Sequence, residues 1–480
     1  MSQAAWQRYD QATHGYSLPL ILANSPFLTV FAENIKEVVK MNKTIRPSVV
    51  LVSIDAVKPE FIFDSERLGL NLPNLRKYFV ENGTHASRGI KSVFPTFTYP
   101  CHQSIITGTH PGTHGIHTNY VFDPEGKHLK AYNWFVSERV QNLWHYTGKN
   151  GYVSVNVGFP TSVGADADYN IPEYWRDGTS LDSKILDAVS RPQGLVREAE
   201  KEMGQYPATD LSLKGDEKRL KFSSWLLENK VASGAGNNPF FLTTYIAAYD
   251  TVAHEVGTYG KEALEALEKI DQMLGVFIGR VHEMTGGNVV VCVVSDHGML
   301  DNIGDIRPNT LFARDGLIKL DENGSVSDWK AWCQRSGGSG YIKLKNSDDS
   351  AVREKVEVIL TRLQDDKDSG IMEVLTGRQA FAKRKCVSEF DYVLVTKPGY
   401  EIQEQTQGNY FKSEPTYMAQ HGYSETFPEM RAAFFLEGVN IPKNKDINGM
   451  ELVDIAPTLA HIMGFVIPTA EGRNVLEDNA

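Results

Sequence analysis

Three acidic residues stand where runs of apolar residues stop: Asp55 after SVVLVSI, Asp250 just beyond FFLTTYIAA, and Asp296 after NVVVCVVS. Two of them have a histidine close by. Asp250 and His254 are four apart, so both can face one point in a tight turn or a first helical turn, while His297 follows Asp296 directly. A carboxylate and an imidazole delivered together suit a cation such as zinc. Taken singly, each motif has a plainer reading, an Asp capping a helix or a histidine in a loop. Taken together they say more, because three carboxylates at one sheet edge would repel strongly in a low-dielectric cleft unless cations neutralised them. Two divalent ions are the economical count, and Gly298 would permit a sharp turn beyond His297.

A nucleophile is offered by SVFPTFTYPCHQSIIT, where Thr98 precedes Tyr99-Pro100. Proline favours the first turn of a helix, so a helix through CHQSIIT would begin with Thr98 at its N-terminal mouth. A hydroxyl there lies where backbone N–H groups and the helix dipole favour an incoming phosphate. Without metals the same threonine is an ordinary N-cap.

The segments Ser48 to Ile54, Phe240 to Ala248 and Asn288 to Ser295 are continuous apolar and β-branched runs, which predict strands buried on both faces of a mostly parallel sheet. Between them Asp182 to Ala199, Leu213 to Ala232 and Lys261 to Met284 carry apolar residues at helical spacing. Strands alternating with helices predict a doubly wound α/β fold flanked by helices, in which ligands bind beyond the carboxyl ends of the strands. All three Asp residues fall at that edge. From about Ile303 to Gln407 the texture changes to polar loops, a Gly-rich turn at Ser336 to Gly340, and a new alternation in YIKLK, AVREKVEVILTRL and FDYVLVTK. The expected organisation is an N-terminal extension over 1–42, a main domain over 43–302 and 408–480, and a smaller inserted α+β subdomain over 303–407. RAAFFLEG and ELVDIAPTLAHIMGF would complete the main domain with a return strand and a helix.

Asp55, FPTFTYP, THPGTHGIHTN, DTVAH, SDHG and AQHGY occur in that order, followed by the tail MRAAFFLEGVNI and VDIAPTLAHIMG. This succession resembles the nucleotide pyrophosphatase/phosphodiesterase branch of the alkaline phosphatase superfamily. The resemblance implies an alkaline phosphatase-like fold and two zinc ions, one on Asp250, His254 and His421 and one on Asp55, Asp296, His297 and the Thr98 oxygen. It also implies Asn119 as a donor to a phosphate oxygen, and Tyr99 and Tyr174 as aromatics that sandwich a nucleobase or leaving group. The implied reaction is hydrolysis of phosphate diesters or nucleotide pyrophosphate bonds through a covalent threonyl-phosphate. Two departures bear on substrate choice rather than on the ligands. Asp55-Ala56-Val57-Lys58 stands where the family has Gly after the Asp and a basic residue two further on, and Cys101 replaces an Asn. His85, His102, His110, His114 and His117 fit no closed zinc motif and read as turn, supporting or surface residues.

The same ligands serve phosphonoacetate hydrolases and phosphomonoesterases. A phosphonoacetate hydrolase would need basic residues to hold the substrate carboxylate, and none can be picked from the sequence. A non-catalytic binding module would have no reason to keep the whole set. A net charge of -11 without a Lys/Arg block opposes a stable nucleic-acid partner, leaving a small phosphate ester or nucleotide as the expected one. The four cysteines fall in unlike contexts and read as reduced. The apolar stretch from Leu18 to Phe31 is broken by Asn24, Ser25 and Pro26, so no membrane insertion is expected, and with no secretory signal pattern the expected compartment is the cytoplasm.

Overall fold

A computed structural model of the chain describes residues 46–128, 131–174, 183–232 and 238–476. The extension expected over 1–42 lies outside the described residues. An eight-stranded sheet carries the site. Its strands in chain order are β1 (Ser48–Ile54), β2 (Thr84–His85), β3 (Val153–Val157), β4 (Tyr169–Ile171), β5 (Phe240–Ile246), β6 (Val289–Val294), β7 (Phe434–Gly438) and β8 (Lys445–Asp446). Their spatial order is β8-β2-β7-β6-β1-β5-β3-β4. The five strands from β6 to β4 run parallel, and β7 is antiparallel to both its neighbours.

The three apolar runs are the three central strands. In β1, Val49 and Leu51 enter one hydrophobic cluster while Val50, Val52 and Ile54 enter another on the opposite face. A strand covered on both sides has no solvent face to make polar, which is why its sequence does not alternate. Each fully buried Val, Leu or Ile contributes about 1.5–3 kcal/mol, so the register of this strand is strongly fixed.

The helices that matter for the site are α1 (Thr98–Thr107), α2 (Leu213–Leu226), α3 (Ala248–Val256) and α4 (Lys261–Thr285). The helix expected from Asp182 to Ala199 is instead two, Ser183–Val189 and Leu195–Met203. Pro192 lacks an N–H and Gly194 has φ +94, so the periodic apolar pattern runs across a break. Beyond α2 the backbone widens into a π turn over Leu227–Val231.

Within 303–407, strands Ala331–Ser336, Ser339–Leu344, Tyr392–Thr396 and Ile371–Thr376 form an antiparallel sheet in that order. The helix Ser350–Asp365 packs its apolar side into the hydrophobic cluster of this sheet. The chain from Pro47 to Ala480 is one compact unit, so this sheet is joined to the main one and not held apart from it.

Candidate metal and phosphoryl-transfer site

The strand ends bring two donor groups together: Asp250, His254 and His421 in one, Asp55, Asp296 and His297 in the other. Asp55 ends β1 and Asp296 and His297 follow β6, which is the adjacent parallel strand, so register alone makes them neighbours. Asp250 lies not in a loop but in the first turn of α3, and His254 is one turn later on the same face. A buried Asp216 on α2 fixes that helix start by accepting from the Ala247 and Ala248 N–H groups at 3.0 and 2.9 Å. His421 arrives from a distant loop and stacks on His297 with ring centroids 3.8 Å apart.

Each of the three histidines has its Nδ1 against a backbone carbonyl: His254 with Ala419 at 2.7 Å, His297 with Gly298 at 3.0 Å and His421 with Thr96 at 3.3 Å. An Nδ1–H donating to a carbonyl leaves the Nε2 lone pair free and aimed, the arrangement metal-bound imidazoles need. The Nε2 atoms turn instead to carboxylates. His254 lies 3.3 Å and His421 3.6 Å from Asp250, and His297 lies 3.0 Å from Asp296 and 3.5 Å from Asp55. Asp55 Oδ1, Asp250 Oδ1 and Asp296 Oδ2 are buried with no hydrogen-bond partner. Orphaned buried carboxylate oxygens facing imidazole Nε2 atoms are a donor set suited to divalent cations.

The electrostatics agree. Burial, then the charges of Asp296 and Asp250, push the Asp55 carboxyl well above its ordinary range. Burial also raises Asp250 and Asp296, but the histidines around each, His254 foremost for Asp250 and His297 for Asp296, together hold both below that range. Burial draws His254 down, but Asp250, with the Ala419 carbonyl and Glu401, raises it to about 9. His421, buried beside His297, is held well below the usual histidine value. Adding positive charge would relieve the strain at Asp55 and displace the proton from His254.

Thr98 is the first residue of α1, and its Oγ1 lies 3.4 Å from His297 Nε2. Its N–H belongs to the first turn and has no acceptor within the helix. Asn119 accepts from the Tyr99 N–H through Oδ1 at 2.8 Å, which leaves its Nδ2 as the donating end. Both residues line one cleft with Asp55, Asp250, His254 and His421. Tyr99 lines it too, with its ring buried against Tyr132 at 6.1 Å. Tyr174 is not brought there. Its ring packs on Trp134 at 4.7 Å and borders a separate small cavity with Tyr206 and Arg219. Tyr120, Tyr132 and Tyr417 provide the aromatic wall.

None of His85, His102, His110, His114 and His117 joins either donor group. His102, one turn into α1, ties the helix start to β1, its ring between the Thr98 carbonyl at 2.8 Å and Ser53 Oγ at 2.9 Å. Gly298 has no positive φ. A Cβ there would sit 2.0 Å from the Glu429 carbonyl, so close approach and not turn geometry excludes a side chain. Ala56, where the family has Gly, adopts φ +60 and donates its N–H to Asp296 Oδ1 at 3.2 Å. Lys58 is buried and committed to Glu60 at 2.7 Å and Tyr259 at 2.8 Å. Cys101 is on the core face of α1, its Sγ 3.2 Å from Ser92 Oγ.

Several cleft residues carry no sequence signal. Tyr245, at the end of β5, donates its hydroxyl to Asp55 Oδ2. Glu401 is a buried acid whose carboxyl burial pushes up to about 7, and Arg335 comes from the antiparallel sheet of the 303–407 segment. Only the apolar-to-Asp pattern of β5 could have pointed to Tyr245. Nothing in the loop-rich segment singles out the other two.

The fold and the two donor groups thus define an α/β protein whose strand-end cleft carries residues that could hold metal ions. The sequence model of the type I phosphodiesterase/nucleotide pyrophosphatase family matches residues 49–424, and the chain belongs to that family. It is 23% identical over 438 residues to the human bis(5'-adenosyl)-triphosphatase ENPP4, covering 88% of this chain and 80% of that protein. Ectonucleotide pyrophosphatase/phosphodiesterase family member 1 of Mus musculus is 24% identical over 254 residues, covering 53% of this chain but 24% of its own length. The chain thus spans about a quarter of that longer relative. The structure of murine ectonucleotide pyrophosphatase/phosphodiesterase 5, an inactive variant in complex with AMP, shares the fold with a TM-score of 0.62 at 18% identity, covering 90% of this chain and 99% of that one. Among the described residues no helix is long and apolar enough to cross a membrane.

Proposed function

We propose that the chain hydrolyses phosphate diesters or nucleotide pyrophosphate bonds, with Thr98 as nucleophile and two divalent cations, zinc by donor type, held by Asp250, His254 and His421 and by Asp55, Asp296, His297 and Thr98 Oγ1. One observation carries the reading. Three histidines with Nδ1 on backbone carbonyls aim Nε2 at three orphaned carboxylates beside a helix-mouth hydroxyl. The names of the relatives and the AMP held by the murine structure support a nucleotide as one side of the substrate.

When bound, the cations would lower the pKa of the Thr98 hydroxyl and offset charge on the phosphoryl oxygens. Thr98 Oγ1 attacks phosphorus in line, the bond to the leaving oxygen breaks, and a threonyl-phosphate results. Asn119 Nδ2 and the Thr98 N–H are placed to donate to the non-bridging oxygens as charge builds on them. Water then attacks the same phosphorus and returns the threonine.

The test is the ratio of turnover on bis-p-nitrophenyl phosphate to that on p-nitrophenyl phosphate, with zinc-loaded and EDTA-stripped protein. A ratio well above one that is lost on stripping supports a diesterase. A ratio well below one makes the protein a monoesterase, and silence on both removes the simple phosphate-ester reading in favour of a phosphonate substrate or a binding role.

A further inference from the structure

Arg335 is a half-buried cation on the cleft wall, two residues before the Gly337-Gly338 turn of a hairpin. That turn is fastened to a proposed metal ligand. Gly338 N–H donates to the His421 carbonyl at 2.9 Å, and Gly337 passes so close that a Cβ would lie 2.0 Å from the same oxygen. Two residues of strand span about 7 Å, so the position of Arg335 is set from His421 across a short rigid path.

The guanidinium is held without an ion pair, although the Glu404 carboxylate accepts from the Arg335 backbone N–H at 2.8 Å. It lies over the Tyr120 ring at 4.5 Å, and one of its N–H groups donates to Gln403 Oε1 across a long 3.3 Å. Gln403 is itself fixed by donating to Glu401 at 2.9 Å, and Gln420, the neighbour of His421, donates to the same Glu401 oxygen at 2.9 Å. Among the described residues no carboxylate forms an ion pair with Arg335, although burial works against its charge and Tyr120, then Glu404, sustain it. A guanidinium has five N–H donors in a planar fork matched to phosphate and carboxylate. Here that fork faces a cleft whose other cationic charge would come from metals serving one phosphoryl group.

We infer that Arg335 determines specificity by binding a second oxyanion next to the scissile phosphoryl group, which makes the substrate class one with a neighbouring phosphate, as in a pyrophosphate bond, or a neighbouring carboxylate, as in a phosphonocarboxylate. This rests on the proposed phosphoryl-transfer reading of the same cleft. Tyr120 orients the guanidinium by its π face, so its exposed side is not open to stack a base. The lysine that would replace it most conservatively keeps the charge and loses the fork.

The experiment compares wild type, Arg335→Ala and Arg335→Lys, zinc-loaded and matched by thermal melting. It measures kcat/KM on bis-p-nitrophenyl phosphate, which has one anionic group, against ATP and against phosphonoacetate. The ratio of the better of the last two to the first is expected to fall about 10- to 100-fold in Arg335→Ala, the range for a charge-assisted hydrogen bond, mainly through KM, with partial recovery in Arg335→Lys. Which of ATP and phosphonoacetate shows the fall identifies the oxyanion. Equal loss on all substrates, or a ratio that does not move, overturns the inference. Calorimetry with α,β-methylene-ADP and AMP separates it from the catalytic reading. If the wild type turns over nothing, that reading fails, yet a preference for the diphosphate that Arg335→Ala abolishes still supports the role of Arg335, and no preference overturns it.

Discussion

Gly337→Ala should disable one metal site through a single methyl group placed outside both donor sets. Gly337 has φ +63, a region that costs a residue with a side chain about 1–2 kcal/mol. The added Cβ would lie 2.0 Å from the His421 carbonyl oxygen and 2.9 Å from its carbon. Both are backbone atoms that no rotamer change can move aside. Restoring ordinary contact at 3.4 Å needs a separation of about 1.4 Å between hairpin and loop. Metal–ligand distances tolerate about 0.2 Å, so His421 cannot keep its place beside Asp250 and His254. We expect zinc per chain to fall from two towards one, the weaker ion to bind about 10- to 100-fold less tightly, and turnover on bis-p-nitrophenyl phosphate to fall with it. Gly69→Ala is the control, since Gly69 has φ +69 and nothing within 4 Å of a built Cβ. It should lose stability without losing metal. Elemental analysis and chelator titration of both variants decide the matter, and a Gly337→Ala protein with two zinc ions and unchanged turnover would refute the reasoning.

Other outcomes follow from the same geometry. Thr98→Ala should abolish turnover while zinc content stays nearly normal, whereas Asp250→Asn and His297→Ala should lose zinc and rate together; full occupancy in either of the latter would contradict the ligand assignment. Ala56→Gly should stabilise the metal-free protein by about 0.5–1 kcal/mol in urea unfolding, because relief of left-handed strain outweighs the entropy lost by a glycine. Lower stability would contradict that. In stripped protein His254 is raised from 6.5 to about 9, so its stabilising contribution is fully present below pH 6.5 and disappears as pH rises through about 9. Zinc must displace that proton, so zinc affinity should climb over the same window, and calorimetry in buffers of different ionisation enthalpy should detect proton release. A pH-independent affinity would show that His254 binds no metal.

The main sheet was legible because its central strands are covered on both faces, leaving apolar runs each followed by an Asp at its carboxyl end. β1 is read to the residue, and β5 and β6 to within two at either end. The start of α1 at Thr98 was legible from Tyr99-Pro100. The helix across Pro192 was misread because apolar period outlasts a backbone break. His421 needed the family resemblance, since its partners are 171 and 167 positions away in the chain and local spacing carries no trace of them. Tyr174 packs on Trp134 beside the cleft, and in sequence an aromatic that lines a cleft looks like one packed next to it. Arg335 and Glu401 were hidden for a different reason. They come from a hairpin and an edge whose contact with His421 exists only after the antiparallel sheet has docked.

The covalent role of Thr98 is tested most directly by stereochemistry. Hydrolysis of a chiral phosphorothioate diester in isotopically labelled water by the zinc-loaded protein should proceed with retention at phosphorus, because two in-line displacements, by Thr98 and then by water, each invert it. Inversion would mean that water attacks the substrate directly, and Thr98 would then be a ligand and not the nucleophile.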